Sequence, residues 1–438
     1  MKKEISILIS SLLTATMVFS MTACSKQVNP GTNNKPKVLK FNTNSFAAPQ
    51  NVPGLAAVFE KWEKENNAKL EITLSVDDYL PKLITDIKAD NVADVSMVDG
   101  SNLAEINKIG ALIPLDKWFT KDKQSEHFDY SIKGATFDNS IKAVWFHGGL
   151  WNLYYRKDLL KAAGYDAPPK DWNELLEMGK KLSVDENKDG VIDTYGLGIP
   201  GFNDAVTVCT LLPWFWGHGN DAVLTNGKDK VMFGEGKGYD AMTDTLKYIQ
   251  KLIDQKVVSK DMASTKFTDV EANLVGGQTA MAILGNWHYP LMQASGSKEF
   301  IDNLGIANIP AVPGQEPCTT AGGWTLAMFT KDPDQQELAW NFMNFYRSKE
   351  VQGLLTKIGQ VTSNKLVYDE PEFAEDTVLQ SFKNGLTGGK TRDSVPFYSV
   401  VDEKFKELVQ IAAIGKENID DAVKKAAKEA QDSADAIK

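Results

Sequence analysis

The chain has 438 residues, 42% of them apolar and 24% charged, and its 48 Lys and Arg against 58 Asp and Glu leave a formal net charge of −10. That balance argues against a nucleic-acid partner, which needs a basic face, and the length exceeds what one hydrophobic core usually holds, so two domains are expected. Three cysteines without a CxxC pair, and no HExxH, argue against a thiolate zinc site or a zincin.

Lys2 and Lys3 open the chain, and the mostly apolar stretch 5–21 is too short and too broken by Ser and Thr for a membrane span. Met21-Thr22-Ala23-Cys24 closes it with small residues and a cysteine, the pattern of a cleaved secretory signal. The stretch resembles a bacterial lipoprotein signal, with Met21 where that family usually has leucine. The resemblance implies that residues 1–23 are removed and that Cys24 takes a diacylglycerol group, anchoring the protein to the outer face of the cell membrane. Residues 24–37 read as a flexible tether, because 25–37, SKQVNPGTNNKPK, has one apolar residue and two prolines and cannot bury enough surface to order itself. No later apolar run approaches membrane-span length.

From there the pattern is strand–helix–strand–helix–strand. Val38, Leu39 and Phe41 form a strand ending in polar 42–45; Pro53 opens a helix with Leu55, Val58, Phe59 and Trp62 on one face. Leu70, Ile72 and Leu74 alternate as a strand, Leu80, Leu83, Ile84 and Ile87 stripe a helix, and 94–98 is a third strand. A parallel sheet flanked by helices is the natural solution. The pattern restarts after Trp145. A strand at 150–155 is followed by a short helix capped by Asp158 and a longer one capped by Asp171, with Trp172, Leu175, Leu176 and Leu182 inward. Helices near 205–215 and 239–253, a buried strand at 279–284 and an amphipathic tail helix from Ile419 complete a second α/β lobe.

Several segments together are similar to the extracellular solute-binding proteins of ABC transporters, in the sugar-binding branch of maltose-binding protein (family 1). They are 93–118, 153–182, 276–287 and 321–329, the last followed by ELAWNFMNFYRSKEVQ, and their order and spacing carry the resemblance over about 38–430. It implies an α/β, two-lobed periplasmic-binding-protein-like fold of type II, with a discontinuous chain and a hinge. One lobe would be 38–145 with 309–350, the other 146–308 with 351–438. It also implies a sugar ligand bound between the lobes, ABC transporter permease subunits as partners, a monomer and no catalysis; the many aromatics point to an oligosaccharide rather than a monosaccharide.

A sugar ring presents an apolar C–H face and a rim of hydroxyls, so it wants flat aromatics and fixed polar groups. Ten Trp, twelve Tyr and twenty Phe are available, enough to suggest several subsites. Trp287, after Gly285, matches the family's stacking position, and Asn286 beside it is a further ligand-binding candidate. Trp324 follows two glycines that allow close backbone approach. Trp145, His147 and Trp151 flank Gly148 and Gly149, and at least one should face the cleft. Trp216 ends a helix and either lines the cleft or packs there, and Tyr398 lies near another stacking position of the family. Asn44 and Asp99 lie past the carboxyl ends of the first and third strands, where α/β ligands sit, or else are turn and cap residues.

Asp185, Asn187, Asp189 and Asp193 stand at positions 1, 3, 5 and 9 of a loop with Gly190 at position 6 and the Val191 carbonyl at 7. That is a calcium-loop spacing without the twelfth-position Glu, since Gly196 is there, so it reads as one structural Ca2+ or as an Asx-rich turn. Gly196, Gly198 and Gly201 spell GxGxxG, but Pro200 interrupts the turn and an exported protein has no nicotinamide pool, so a dinucleotide site is rejected. The rival function is a secreted glycoside hydrolase with paired carboxylates. A peptide or metal receptor is disfavoured by the Trp count and by four His.

Overall fold

The structure, a computed structural model, describes residues 35–75 and 79–437. The signal segment, Cys24 and most of the tether lie outside the described residues. The strands used below are β1 (Lys37–Thr43), β2 (Ala68–Leu74), β3 (Val95–Asp99), β4 (Ala143–Trp145), β5 (Gly149–Arg156), β6 (Tyr195–Gly198), β7 (Thr279–Gly285), β8 (Leu304–Ala307), β9 (Ala321–Gly322) and β10 (Trp324–Met328).

β1 alternates, burying Leu39, Phe41 and Thr43, and the fully buried run of β7 is covered on both faces. The first sheet runs β2-β1-β3-β10-β4. Its first three strands pair in parallel, as the βαβ pattern predicts, with Leu39 opposite Leu70 and Phe41 opposite Val95. β10 then enters antiparallel, setting Trp324 opposite Asp99 and Thr325 opposite Trp145. The sheet is therefore mixed rather than parallel, because β10 returns from the other lobe instead of through a crossover helix. The second sheet runs β8-β5-β7-β6, with only β6 and β7 parallel, and β9 pairs with the start of β5.

Each sheet has its own core. One gathers residues from Leu39 to Leu150 and from Ala321 to Leu386, the other from Trp151 to Ile309 and from Val395 to Ala434. The chain thus passes between the cores three times, between 150 and 151, between 309 and 321, and between 386 and 395. Two stretches differ from the sequence division. Ile309 stays with the second core and Ala311 bridges Asp171 of that lobe, while Val351, Leu355, Val367, Phe373, Phe382 and Leu386 join the first core. The latter follows from helix Lys349–Lys357 and segment 361–364, which lie beside the end of β4: Gly148 N–H donates to the Val361 carbonyl, and His147 bridges Thr362.

Local chemistry explains the elements. Asp171 caps helix Trp172–Leu182 by accepting from the Asn173 and Glu174 N–H groups. Asp158 is not a cap: helix Lys157–Ala162 starts at Arg156 without a side-chain cap, and Asp158 instead takes the Arg156 Nε and Nη2 at 2.9 and 2.6 Å. An ion pair to the preceding strand wins over a local cap.

The GxGxxG glycines serve packing. A Cβ on Gly196 would lie 2.2 Å from the Gly179 carbonyl oxygen, so β6 touches helix Trp172–Leu182 backbone to backbone. One on Gly201 would lie 2.6 Å from the Met262 carbonyl. Gly196→Ala should therefore push strand and helix apart and cost ~1–3 kcal/mol of stability by urea denaturation. An unchanged midpoint would contradict this close approach.

Candidate ligand cleft

A cavity of ≈ 630 Å³ lies where the two cores meet. Residues from both sheets line it, Asp99 and Trp324 from the first, and Trp151 and Trp287 from or beside the second, with His147 and Gly149 at the crossing. Five of the residues singled out in the sequence therefore converge: Asp99, His147, Trp151, Trp287 and Trp324.

The geometry is built on small residues. Trp287 lies over Gly285, where a Cβ would sit 2.3 Å from its ring, and meets Trp151 edge to face with centroids 5.1 Å apart. Gly149 leaves van der Waals space bounded by His147, Trp151 and Trp287 at 3.7 Å. Gly323, at φ +130°, allows the β9–β10 turn to press on His147, whose carbonyl oxygen would lie 2.2 Å from an added Cβ. Trp324 is half-buried and leans on Tyr79 and Phe46, at 5.2 and 6.4 Å between ring centroids.

The polar groups are fewer. Asp99 Oδ1 accepts from the Ser101 N–H and hydroxyl at 2.8 and 2.7 Å, and both carboxylate oxygens accept from Arg392 Nη2, at 2.7 and 2.9 Å. The Asp99 N–H donates to the Tyr79 hydroxyl, whose own pKa is raised by burial and by the Asp99 charge. Burial works against the Arg392 charge, but the combined pull of Asp99, Cys209, Asp402 and Tyr398 outweighs it and the guanidinium pKa is raised. The ring nitrogens of His147 and the Nε1 of Trp151 are buried with no hydrogen bond of good geometry, only the Gln360 side chain lying beside the imidazole, which leaves them able to bond a ligand.

The other candidates lie elsewhere. Asn286 is wholly spent on the backbone, accepting from the Leu150 N–H and donating to the Gly359 carbonyl, and so ties β5 and β7 to the crossing. Asn44 is buried, with its backbone N–H against Met97 Sδ, and does not line the cavity. Tyr398 is buried in the second core at the start of helix Tyr398–Ile414 and does not line the cavity. Trp216 borders a separate cavity of ≈ 430 Å³ with Tyr130 and Lys390. Trp145 is core, its ring filling the space left by Gly100.

In the 185–193 loop the oxygens close on backbone. Asp185 accepts from the Asp189 and Gly190 N–H groups, Asp189 from Val191, and Asp193 from Glu186. Asn187 accepts from the Asp189 N–H, and the Val191 side chain is exposed. Among the described residues no three His, Cys, Asp or Glu side chains gather as a metal centre would need. Cys209 and Cys318 are both free thiols.

Sequence reasoning missed Phe46, Gln360, Cys209 and Arg392 in the cleft lining. A signal for Arg392 was present: the chain has only three arginines, at 156, 347 and 392, among 48 basic residues. Each forms a short carboxylate pair, with Asp158, Glu126 and Asp99. Lysine supplies surface charge here, and arginine is kept for fixed geometry.

Two lobes, each with its own sheet and core, and a ligand-sized aromatic cavity at their junction define a hinged binding protein. The sequence pattern of the bacterial extracellular solute-binding proteins matches residues 48–353, and this chain belongs to that family. A probable ABC transporter-binding protein of Deinococcus radiodurans is 31% identical over 229 residues, 51% of this chain and 52% of that protein, so the match spans about half of that relative's length. Two solved structures share the fold. MalE3 of T. maritima, with maltose bound, is 23% identical at a TM-score of 0.74, covering 90% of this chain and 99% of that one. A solute-binding protein of Thermotoga lettingae, bound with α-D-tagatose, is 22% identical at 0.76, covering 91% and 100%. The family and these neighbours are binding proteins, not enzymes.

Burial holds the His147 pKa down to about 4 and that of His127 to about 3, against an ordinary 6.5. Both are neutral at pH 7 in the folded and the unfolded chain. As pH falls below 6.5 the unfolded chain takes up protons that the folded chain refuses, so stability present above that value is lost toward about pH 4. Each histidine contributes at most ~1.4 kcal/mol per pH unit. Urea denaturation across that range should show the decline, and His147→Gln should make it shallower; an equal slope in the variant would contradict a neutral buried His147.

Proposed function

We propose that this protein captures a neutral oligosaccharide between its lobes and delivers it to the permease subunits of an ABC importer. It works as a monomer, held at the outer face of the cell membrane by lipid on Cys24. The observation that carries the reading is the convergence of three indoles, Trp151, Trp287 and Trp324, with Asp99 and His147 in one cavity. Flat rings serve the C–H faces of sugar rings, while the buried nitrogens of His147 and Trp151 serve the hydroxyls. The ligands named for the two structural neighbours, maltose and tagatose, are both neutral sugars.

A glycoside hydrolase needs two carboxyl groups about 5–9.5 Å apart around the scissile bond. Among the described residues lining the cavity Asp99 is the only acidic one, and it is already paired with Arg392. This favours binding without cleavage.

Trp287→Ala should weaken binding of the best ligand in a panel of cello-, xylo-, malto- and manno-oligosaccharides by roughly 1–3 kcal/mol in calorimetry. Stacking is not charge-driven, so affinity should respond little to salt. Retained affinity together with a collapsed melting temperature would show that Trp287 is a packing residue.

Two further parts rest on sequence spacing. For the anchor, Cys24→Ala should release the protein from the membrane fraction or leave it unprocessed, and mature variant retained in membranes would refute it. For calcium, the oxygen spacing of 185–193 is the support, and the ion would have to win Asp185 and Asp189 from the N–H groups they now hold. Added calcium should then raise the melting temperature and Asp189→Ala should remove the response, whereas equal melting curves with calcium and with chelator would dismiss the site.

A further inference from the structure

The Asp99–Arg392 pair joins the two lobes. Asp99 ends β3 of the first sheet, where β10 lies opposite it and the Gly100 N–H donates to the Gly323 carbonyl. Ser101 holds its Oδ1 by two bonds. Arg392 is fastened to the second lobe by its neighbours. The Asp393 Oδ2 accepts from the Thr225 N–H and hydroxyl at 2.9 and 2.7 Å, and Val395, Phe397 and Tyr398 lie in the second core. The guanidinium reaches back across the cleft, its side chain 10% exposed, and gives Nη2 to both Asp99 oxygens.

A third group makes this a two-position device. Asp402, on helix Tyr398–Ile414 of the second lobe, lies 3.7 Å from Arg392 Nη1, and its Oδ1 has no hydrogen bond of its own. Moving the lobes apart must break the Asp99 bonds, since each partner is pinned to its own lobe. Arg392 then keeps a carboxylate beside it, so the separated state does not strand a buried, unpaired charge, which would be strongly unfavourable. Two states of comparable energy are what a hinge needs. Helix Leu103–Lys108 also meets the second lobe through Glu105 with Ser399 and Lys108 with the Ile437 carbonyl.

We propose that Arg392 is a positioning residue, a clasp that draws the lobes together through Asp99 before ligand arrives and so sets how tightly the cleft holds it. The proposal rests on the binding-protein reading of the cleft. A ligand that binds only the closed form has an apparent Kd divided by the fraction already closed. The clasp raises that fraction, and Asp402 keeps it from becoming permanent.

The test is small-angle scattering from the full-length unliganded protein. Arg392→Gln and Asp99→Asn should each increase the radius of gyration over wild type, and the double variant should add nothing further, because both remove one bond. Arg392→Lys, which keeps the charge but not the two-oxygen reach, should fall between, and it decides the matter with Asp99→Asn if the Gln variant does not fold. Scattering identical to wild type in these variants, or a double variant more open than either single, overturns the clasp. Maltotriose titration is a second arm: Arg392→Gln should weaken binding by about tenfold or more, mainly through faster release. Undiminished affinity in that variant overturns the proposal. If wild type does not bind maltotriose, that result bears on the sugar reading, while the ligand-free scattering still decides the clasp.

Discussion

The start of β5 is the constraint on which the rest of the structure depends. Side chains alternate along a strand, and here the alternation separates two domains: Leu150 enters the core of the first lobe and Trp151 that of the second. One peptide unit is therefore the boundary between lobes. Asn286 holds it there by accepting from the Leu150 N–H, and Thr319 Oγ1 accepts from the Trp151 N–H at 2.9 Å. A slip of one residue would exchange the two cores' side chains, and the register of Trp151 with Gly285 that seats Trp287 would be lost.

From that boundary the cleft follows by geometry. β9 pairs with β5 at Gly149 and Gly322, and β10 continues into the first sheet to set Trp324 beside Asp99. The aromatic floor thus comes from strands that belong to different sheets but share one crossing. Because the crossing is made of extended chain rather than a helix, the lobes can pivot with small dihedral changes near 147–151, 319–323 and 388–392. The polar chemistry of the cleft is spread over both sides of the pivot, with Asp99 on one lobe and Arg392 and Asp402 on the other.

Charge is used sparingly within this frame. The surface carries many lysine–carboxylate pairs, such as Lys117 with Glu337 and Lys298 with Asp302, exposed and worth little individually. The three arginines are reserved for short pairs in which the arginine is largely buried: Arg156 steadies the exit of β5, Arg347 ties Glu126 to the first core, and Arg392 spans the cleft. Asp402 illustrates the energetics of that interior, since burial raises its carboxyl above the ordinary range and the Arg392 charge opposes the shift.

The sequence by itself determined the class of fold, the order of elements in each lobe and the residue types of the cleft. Periodicities of 2 and 3.6 report burial directly, so β1, α-helix Leu55–Glu65, β2 and the fully buried β7 were legible. The glycine-flanked Trp287 and Trp324 were legible too, because a large ring beside a residue with no side chain marks close backbone approach. Only the tertiary structure decided which of the flanking residues at the crossing face the cleft, that Asn286 serves the backbone and that Trp145 fills the core. It also decided that segment 351–386 packs with the first lobe. These outcomes depend on contacts between residues far apart in the chain, such as Asp99 with Arg392, separated by 293 positions. Local patterning records how much of a side chain is buried, but not against which distant partner, and it is the partner that gives each residue its role.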